Sequence, residues 1–301
     1  MARAHLVGSV SLLLLASACA AGGPAPPQAV IGAPAASKAP PAPLAVAPVA
    51  APFAALPASV RDGRRFANRS RTELITQIQG MQALFSATPA GSPDRPSTMH
   101  RLAETYSELE HVAEAEVPAG GAGGPEADKF FRLARLTAVE FYAYLVRDYP
   151  KWCARPDPVK PTGCADESLY YVGLGSERFG HHADAYKSYV DVIRSGYESR
   201  FIPLAHLALG ELDLEDAEQD PWKLERAEQS YAAVVEYPPL DNPAVGYAEY
   251  RLGQIAARRG DGVRAQVHLQ RAATDAQSRG DAVLGALVEA ARRALDPRGG
   301  G

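Results

Sequence analysis

Three cysteines, seven histidines and one glycine-rich stretch are the residues whose types and spacing could do chemistry. Cys153 and Cys164 bracket a short segment containing Pro156, Pro158, Pro161 and Gly163. A redox pair would more often be spaced Cys-x-x-Cys, and a zinc site would need two further ligands that do not cluster here. In an exported chain this pair is expected to form a structural disulfide; closing a loop of this size contributes about 3 kcal/mol on the chain-entropy account. His181-His182 invites a metal reading, but adjacent histidines in a turn point apart, so exposed turn residues are expected. Gly175 and Gly180 satisfy the Gly-x-x-x-x-Gly part of a phosphate loop, yet His181 and His182 stand where Lys and Ser/Thr are required. A dinucleotide fingerprint opened by Gly173 and Gly175 fails at Arg178, in the place of its third glycine. No His-Glu-x-x-His motif, nucleophile-elbow glycine pattern or paired-cysteine zinc spacing occurs. No catalytic, cofactor-binding or metal-binding residue is therefore assigned, and neither a cofactor nor a small-molecule substrate is expected.

The glycines have another explanation in the elements around them. From Asp166 to Gln277 one set of residue types returns three times in the same order. Leu169, Val172, Gly173 and Ser176 precede Gly180, Ala185, Tyr189 and Val192. Leu209, Gly210 and Asp213 precede Ala227, Tyr231, Val234 and Pro239. Leu252, Gly253 and Ala256 precede Gly260, Ala265, Leu269 and Ala272. This pattern fits the 34-residue tetratricopeptide repeat, a helix, a turn and a second helix. Gly173, Gly210 and Gly253 would let paired helices approach, Ala185, Ala227 and Ala265 would keep the crossing small, and Tyr189, Tyr231 and Leu269 would fill the hole beyond. The second copy is five residues longer between its glycine and alanine. A lengthened inter-helix turn is expected there, with Pro221 breaking the helix and Trp222 folded back as a plug.

Upstream, Leu74, Ile75, Ile78, Met81, Leu84 and Phe85 predict a helix ending before Pro89. Ser97 is a plausible N-cap for a following helix with Leu102, Ala103, Tyr106, Leu109 and Val112. Ala138, Tyr142 and Leu145 repeat the second-helix spacing in a helix from about Glu126 to Tyr149, giving a divergent first repeat with a long insertion. Asn68-Arg69-Ser70 has the form of a glycosylation acceptor and reads as incidental. At the other end Ala282, Val283, Leu284, Leu287, Val288, Ala291 and Leu295 predict a final amphipathic helix covering the last apolar face. The fold expected is all-α, a right-handed solenoid of antiparallel helix pairs with a C-terminal capping helix.

Arg3, the apolar run Leu6 to Leu15 and the small residues after it form an export signal too short to span a membrane. Leu15-Ala16-Ser17-Ala18-Cys19 resembles a bacterial lipoprotein signal, which implies lipid on Cys19; ordinary signal cleavage is the alternative. In that resemblance Ala20 implies sorting to the outer membrane, facing the periplasm. The Ala/Pro-rich stretch that follows cannot bury a core and is expected to act as a spacer, at about 3.1 Å per residue where extended. The expected divisions are a signal at 1–18, a linker at 19–60, N-terminal helices with the disulfide loop at 61–165, three repeats at 166–277 and a cap with tail at 278–301. The net charge of -4 demands no nucleic acid. It is unevenly spread: Asp166 to Glu249 holds about seventeen acids against six bases, and the remainder five against nine. Acidic and basic ends of the array are expected, as solvated helix faces or as a docking code.

The repeats, export signal and cysteine pair together resemble periplasmic tetratricopeptide lipoproteins of bacterial envelopes, including those of barrel assembly, Tol-Pal coordination and pilus secretins. Asp166-Glu167-Ser168-Leu169-Tyr170-Tyr171, Ser199-Arg200-Phe201-Ile202-Pro203, Leu209-Gly210-Glu211 and Asp220-Pro221 resemble tetratricopeptide proteins of gliding-motility complexes, over roughly Tyr149 to Gly253. The resemblance implies a non-enzymatic adaptor that binds a protein partner in the envelope. An accessory of barrel or secretin assembly is the alternative. A helical-solenoid enzyme of the cell wall is the contrasting class, against which Glu211, Glu215 and Glu218 fall on an ordinary acidic helix and turn. In such arrays the first helix of each repeat lines a concave groove. Applied to Gly173, Gly210 and Gly253, that rule selects Tyr170, Leu174, Glu177 and Arg178; Leu207, Glu211, Leu214 and Glu215; and Tyr250, Gln254, Ala257 and Arg258. Tyr170, Tyr250 and Arg258 would be the anchors, unless the two tyrosines only pack between neighbouring first helices.

Overall fold

The structure is a computed structural model that describes residues 53, 56, 60, 62, 66, 69–115, 125–153, 165–195, 199–238 and 242–295. The export signal, Cys19, most of the linker and Cys164 lie outside the described residues. Among the described residues there are ten long helices and no strand: α1 Arg71–Ala87, α2 Arg95–Ala115, α3 Pro125–Asp148, α4 Asp166–Arg178, α5 His182–Arg194, α6 Phe201–Glu215, α7 Pro221–Glu236, α8 Val245–Arg258, α9 Gly262–Arg279 and α10 Ala282–Leu295. Each packs on the next, and α4 also touches α6 while α10 touches α8. Helices two apart in sequence are therefore neighbours on the side of α4, α6, α8 and α10.

Local chemistry sets the helix ends. Ser70 caps α1 in a reciprocal box with Glu73, so the Ser-x-x-Glu of the apparent glycosylation acceptor is a helix start. Ser97 does not cap α2; that helix begins at Arg95, and the Ser97 hydroxyl donates to the carbonyl of Asp94. Gly180 and Gly260 carry φ of 76° and 79° in the turns after α4 and α8, a conformation a side chain would strain.

The second pair solves its extra length differently from expectation. α6 ends five residues after Gly210, as α4 does after Gly173 and α8 after Gly253. Its turn, residues 216–220, is two longer than the other turns, and α7 starts six residues before Ala227 where α5 and α9 start three before their alanines. Pro221 opens α7 instead of breaking it, with Asp220 capping the Trp222 amide at 3.0 Å; proline at the first helical position gives up no intrahelical bond. Trp222 is 73% exposed, so it is no plug.

The second helices repeat one packing unit. Ala138, Tyr142 and Leu145 on α3, Ala185, Tyr189 and Val192 on α5, Ala227, Tyr231 and Val234 on α7, and Ala265, Leu269 and Ala272 on α9 are all buried. The facing glycines are required by space. A Cβ on Gly173 would lie 2.7 Å from the Tyr189 ring, on Gly210 2.5 Å from Tyr231, and on Gly253 2.9 Å from Leu269. Tyr189, Tyr231 and Leu269 thus fill the cleft inside their own pair. One buried cluster runs from Leu56 and Met99 to Leu284 and Val288, with a smaller one joining α1, α2 and α3 through Leu74, Ile78, Leu102 and Ala134. α10 joins the main cluster through Leu284 and Val288.

Candidate polypeptide-binding groove

Of the twelve positions selected for the groove, six are buried, Tyr170, Leu174, Leu207, Glu211, Leu214 and Tyr250; Ala257 is partly covered like Glu177, Arg178, Gln254 and Arg258, and Glu215 is exposed. Tyr170 lies among the rings of Tyr171, Tyr189 and Phe201 at 5.5–5.6 Å. Leu174, Leu207 and Leu214 belong to the same core. The reason is geometric. Positions three before and one after the glycine sit where adjacent first helices meet, so side chains there are consumed by helix packing, and Tyr170 and Tyr250 cannot serve as exposed anchors.

Glu211 is likewise no surface carboxylate. Its oxygens accept from Arg251 Nε at 2.8 Å and Nη2 at 2.5 Å, and Tyr231 donates its hydroxyl to Oε1 at 2.6 Å. Arg251 also donates to Gln254 Oε1, whose amide donates to the Tyr250 hydroxyl, each at 2.8 Å. Burial opposes the Arg251 charge, but the bonds and charge of Glu211 outweigh it and hold the guanidinium above its ordinary pKa. Burial pushes the Tyr250 phenol up. Three selected residues, Glu211, Tyr250 and Gln254, are thus spent on joining α6 to α8. The acid-rich and base-rich halves meet in the same way: Glu228 on α7 pairs with Arg259 and Arg264, and Glu218 with Arg258 at 3.7 Å. Several acids of the first half are thus paired with arginines of the second across this boundary.

Glu177, Arg178, Gln254 and Arg258 remain partly exposed, and Glu215 is exposed beside His182 at 3.7 Å. Glu177 accepts from the Tyr189 hydroxyl at 2.9 Å. Arg178 is held by Glu110 of α2, from Nη1 at 2.8 Å, and the same carboxylate binds Arg135 Nε at 2.7 Å. A cavity of about 20 Å³ beside them, lined in part by Ser107, Glu110, Tyr142 and Tyr171, has room for about one water.

Against these first helices lies the chain's own N-terminal segment. Phe53 sits under the Arg258 guanidinium, 5.1 Å from ring centroid to carbon. Leu56 is 5% exposed in the main core, and Phe53 and Val60 pack against it. Asp62 faces Arg178 at 3.5 Å, and its carbonyl accepts from the Tyr171 hydroxyl at 3.2 Å. Phe66 lies 4.9 Å from His111 between ring centroids, and Arg69 donates to both oxygens of Glu108. Phe53, then Asp62, then Phe66 and Arg69 thus meet α8, α4 and α2, in reverse of the helix order. The expectation that residues 19–60 only space the fold is corrected at its end: Phe53, Leu56 and Val60 recur at helical intervals of three and four within an Ala/Pro tract, and that spacing is the signal the composition masked.

His181 and His182 are exposed, His181 preceding α5 and His182 opening it, so only His181 lies in the turn. His268 pairs with Glu249 at 2.5 Å, and His100, buried beside the rings of Trp152 and Tyr142, has two carboxylate neighbours. Its Nδ1 faces Glu104 at 3.5 Å and its Nε2 faces Glu167 at 3.6 Å. His100, Glu104 and Glu167 each offer one ligand atom, all within 4.8 Å of one another, a spacing that could hold a metal ion, and the three groups bring α2 and α4 together. The pair His100-x-x-x-Glu104 was legible as a one-turn spacing. Cys153 is disulfide-bonded, the state expected of it.

Comparison of the chain with protein-family models, with curated proteins and with solved structures finds no match. The functional reading therefore rests on the arrangement itself.

Proposed function

We propose that this chain is a non-enzymatic scaffold of the tetratricopeptide class, exported and anchored through lipid on Cys19 to the outer membrane, whose first helices hold a segment of a partner protein in the periplasm. One observation carries the reading: residues 53, 56, 62, 66 and 69 of the chain lie along α8, α4 and α2, so this face accommodates a polypeptide. The repeated close approach of a first-helix glycine to a large second-helix side chain, Tyr189, Tyr231 or Leu269, in three helix pairs supports a solenoid of tetratricopeptide type, with α10 as its cap. The partly exposed cations Arg178 and Arg258 supply charge at two points along the face. An envelope machine such as a gliding-motility complex is the setting that the sequence resemblance suggests.

The test is copurification from crosslinked envelopes with the wild-type chain and with Arg178→Glu/Arg258→Glu. A defined partner retained by the wild type and lost from the folded variant supports the reading, and a partner set unchanged by the variant refutes it. Cys19→Ser should move the protein from membranes to the soluble fraction; continued sedimentation with membranes in high salt would remove the lipid anchor.

A further inference from the structure

His100 and Glu104 stand one helical turn apart on α2 and so share a face, and Glu167 belongs to the first turn of α4. One ligand atom from each lies within 4.8 Å of the other two. The His100 side chain is 9% exposed, and its Nε2 is buried without a hydrogen-bond partner among the described residues while facing Glu167 at 3.6 Å. That separation is beyond an ordinary hydrogen bond. It matches the edge of a tetrahedron around a zinc ion, where bonds of about 2.0–2.2 Å put two ligand atoms roughly 3.3–3.6 Å apart. The rings of Trp152 at 5.4 Å and Tyr142 at 6.1 Å stand beside the imidazole. A buried ring nitrogen in that state costs free energy until a partner enters the cluster. A neutral imidazole with two carboxylates carries two negative charges, which a divalent cation balances.

We propose that His100, Glu104 and Glu167 form a divalent-metal site, suited to zinc, that ties α2 to α4. Nε2 of His100 and a carboxylate oxygen of Glu167 supply the inner pair of ligands. Glu104 supplies the third: its side chain is 40% exposed against 15% for that of Glu167, so it has the freedom to close the remaining distance. The imidazole favours zinc over calcium and magnesium, which are bound through oxygen, and three protein ligands leave a fourth position for water. α2 and α4 both pack on α3 and share little direct packing with each other. Beside the Arg178 pair with Glu110, the ion is a second direct tie between the N-terminal helices and the first repeat. This site is independent of the scaffold reading, and either can fail without the other.

The probe is zinc chloride titrated into the full chain, purified without an affinity tag and stripped with a chelator. The parent carries Cys19→Ser, His181→Ala and His182→Ala, which removes a thiol and the exposed histidines near Glu215 as competing ligands. Calorimetry should show one zinc ion per chain, and zinc at a hundred times its dissociation constant should raise the melting temperature by about 5–10 °C. His100→Gln should abolish both effects, and Glu104→Gln should weaken binding at least about tenfold. His100 is buried, so if circular dichroism shows that its variant has lost the fold, Glu104→Gln, at a partly exposed position, decides. Side chains with a purely structural role would change the metal-free melting temperature and leave its response to zinc as it was. The absence of a saturable site, equal zinc affinity in Glu104→Gln and its parent, or a melting temperature indifferent to zinc overturns the proposal.

Discussion

Replacing Arg251 by methionine tests whether the contact between α6 and α8 is a buried charge unit. The Arg251 side chain is 1% exposed and that of Glu211 7%, so neither charge is solvated by bulk water. Arg251→Met removes two charge-assisted bonds to Glu211 and one to Gln254, and leaves Glu211 with the Tyr231 hydroxyl. An uncompensated carboxylate at such a site costs about 3–5 kcal/mol. For a folded unit of this size each kcal/mol lowers the melting temperature by about 2–4 °C, so a fall of roughly 6–20 °C is expected. Adding Glu211→Gln removes the stranded charge while keeping an acceptor for Tyr231, and should recover more than half of the loss. Urea unfolding followed by circular dichroism gives both numbers. A loss below about 1 kcal/mol for the single variant, or a double variant no more stable than the single, would refute the reasoning.

Gly210→Ala should destabilise by about 1–3 kcal/mol despite the better helix propensity of alanine, because its Cβ meets the Tyr231 ring at 2.5 Å and displaces the hydroxyl from Glu211; a stabilised variant in thermal unfolding would contradict this. Cys153→Ser should cost about 2–4 kcal/mol under oxidising conditions and almost nothing in a reductant, and equal losses in both would show that the cysteine acts through packing. Burial holds the His206 imidazole below its ordinary 6.5, so the unfolded chain takes the proton first. Its contribution is whole above pH 6.5 and is lost as the pH falls from there toward the folded value. His206→Gln should therefore lose less stability than the wild type between pH 7.5 and 5.5, read from urea midpoints, and an identical drop in both would exclude this histidine. Burial raises the carboxyl of Asp166 above its ordinary 3.8. That carboxyl has the opposite sign, its contribution being lost as the pH rises from 3.8 through the folded value, so Asp166→Asn should flatten that limb of the stability curve; an unchanged limb would remove Asp166 as its cause.

Sequence alone determined the parts of this protein that depend on near neighbours. The spacing Ala185, Tyr189, Val192 and its copies marked the buried stripes of second helices, Gly173, Gly210 and Gly253 marked the close approaches, and Gly180 and Gly260 marked the turns, because each follows from helical period, side-chain volume or backbone sterics within one pair. Even there Pro221 was misread, since a proline ends a helix or opens one according to the cap before it, and Asp220 decided for opening. Tertiary structure decided where the first-helix side chains went. Periodicity places Tyr170, Glu211 and Tyr250 on one face of their helices but carries no record of what covers that face. Neighbouring first helices cover it, Arg251 draws Glu211 inward, and the chain's own Phe53, Leu56 and Asp62 lie over α8, the core and α4. These contacts join residues from 40 to more than 200 positions apart in sequence, and a local pattern cannot specify which distant surface will remove a side chain from water.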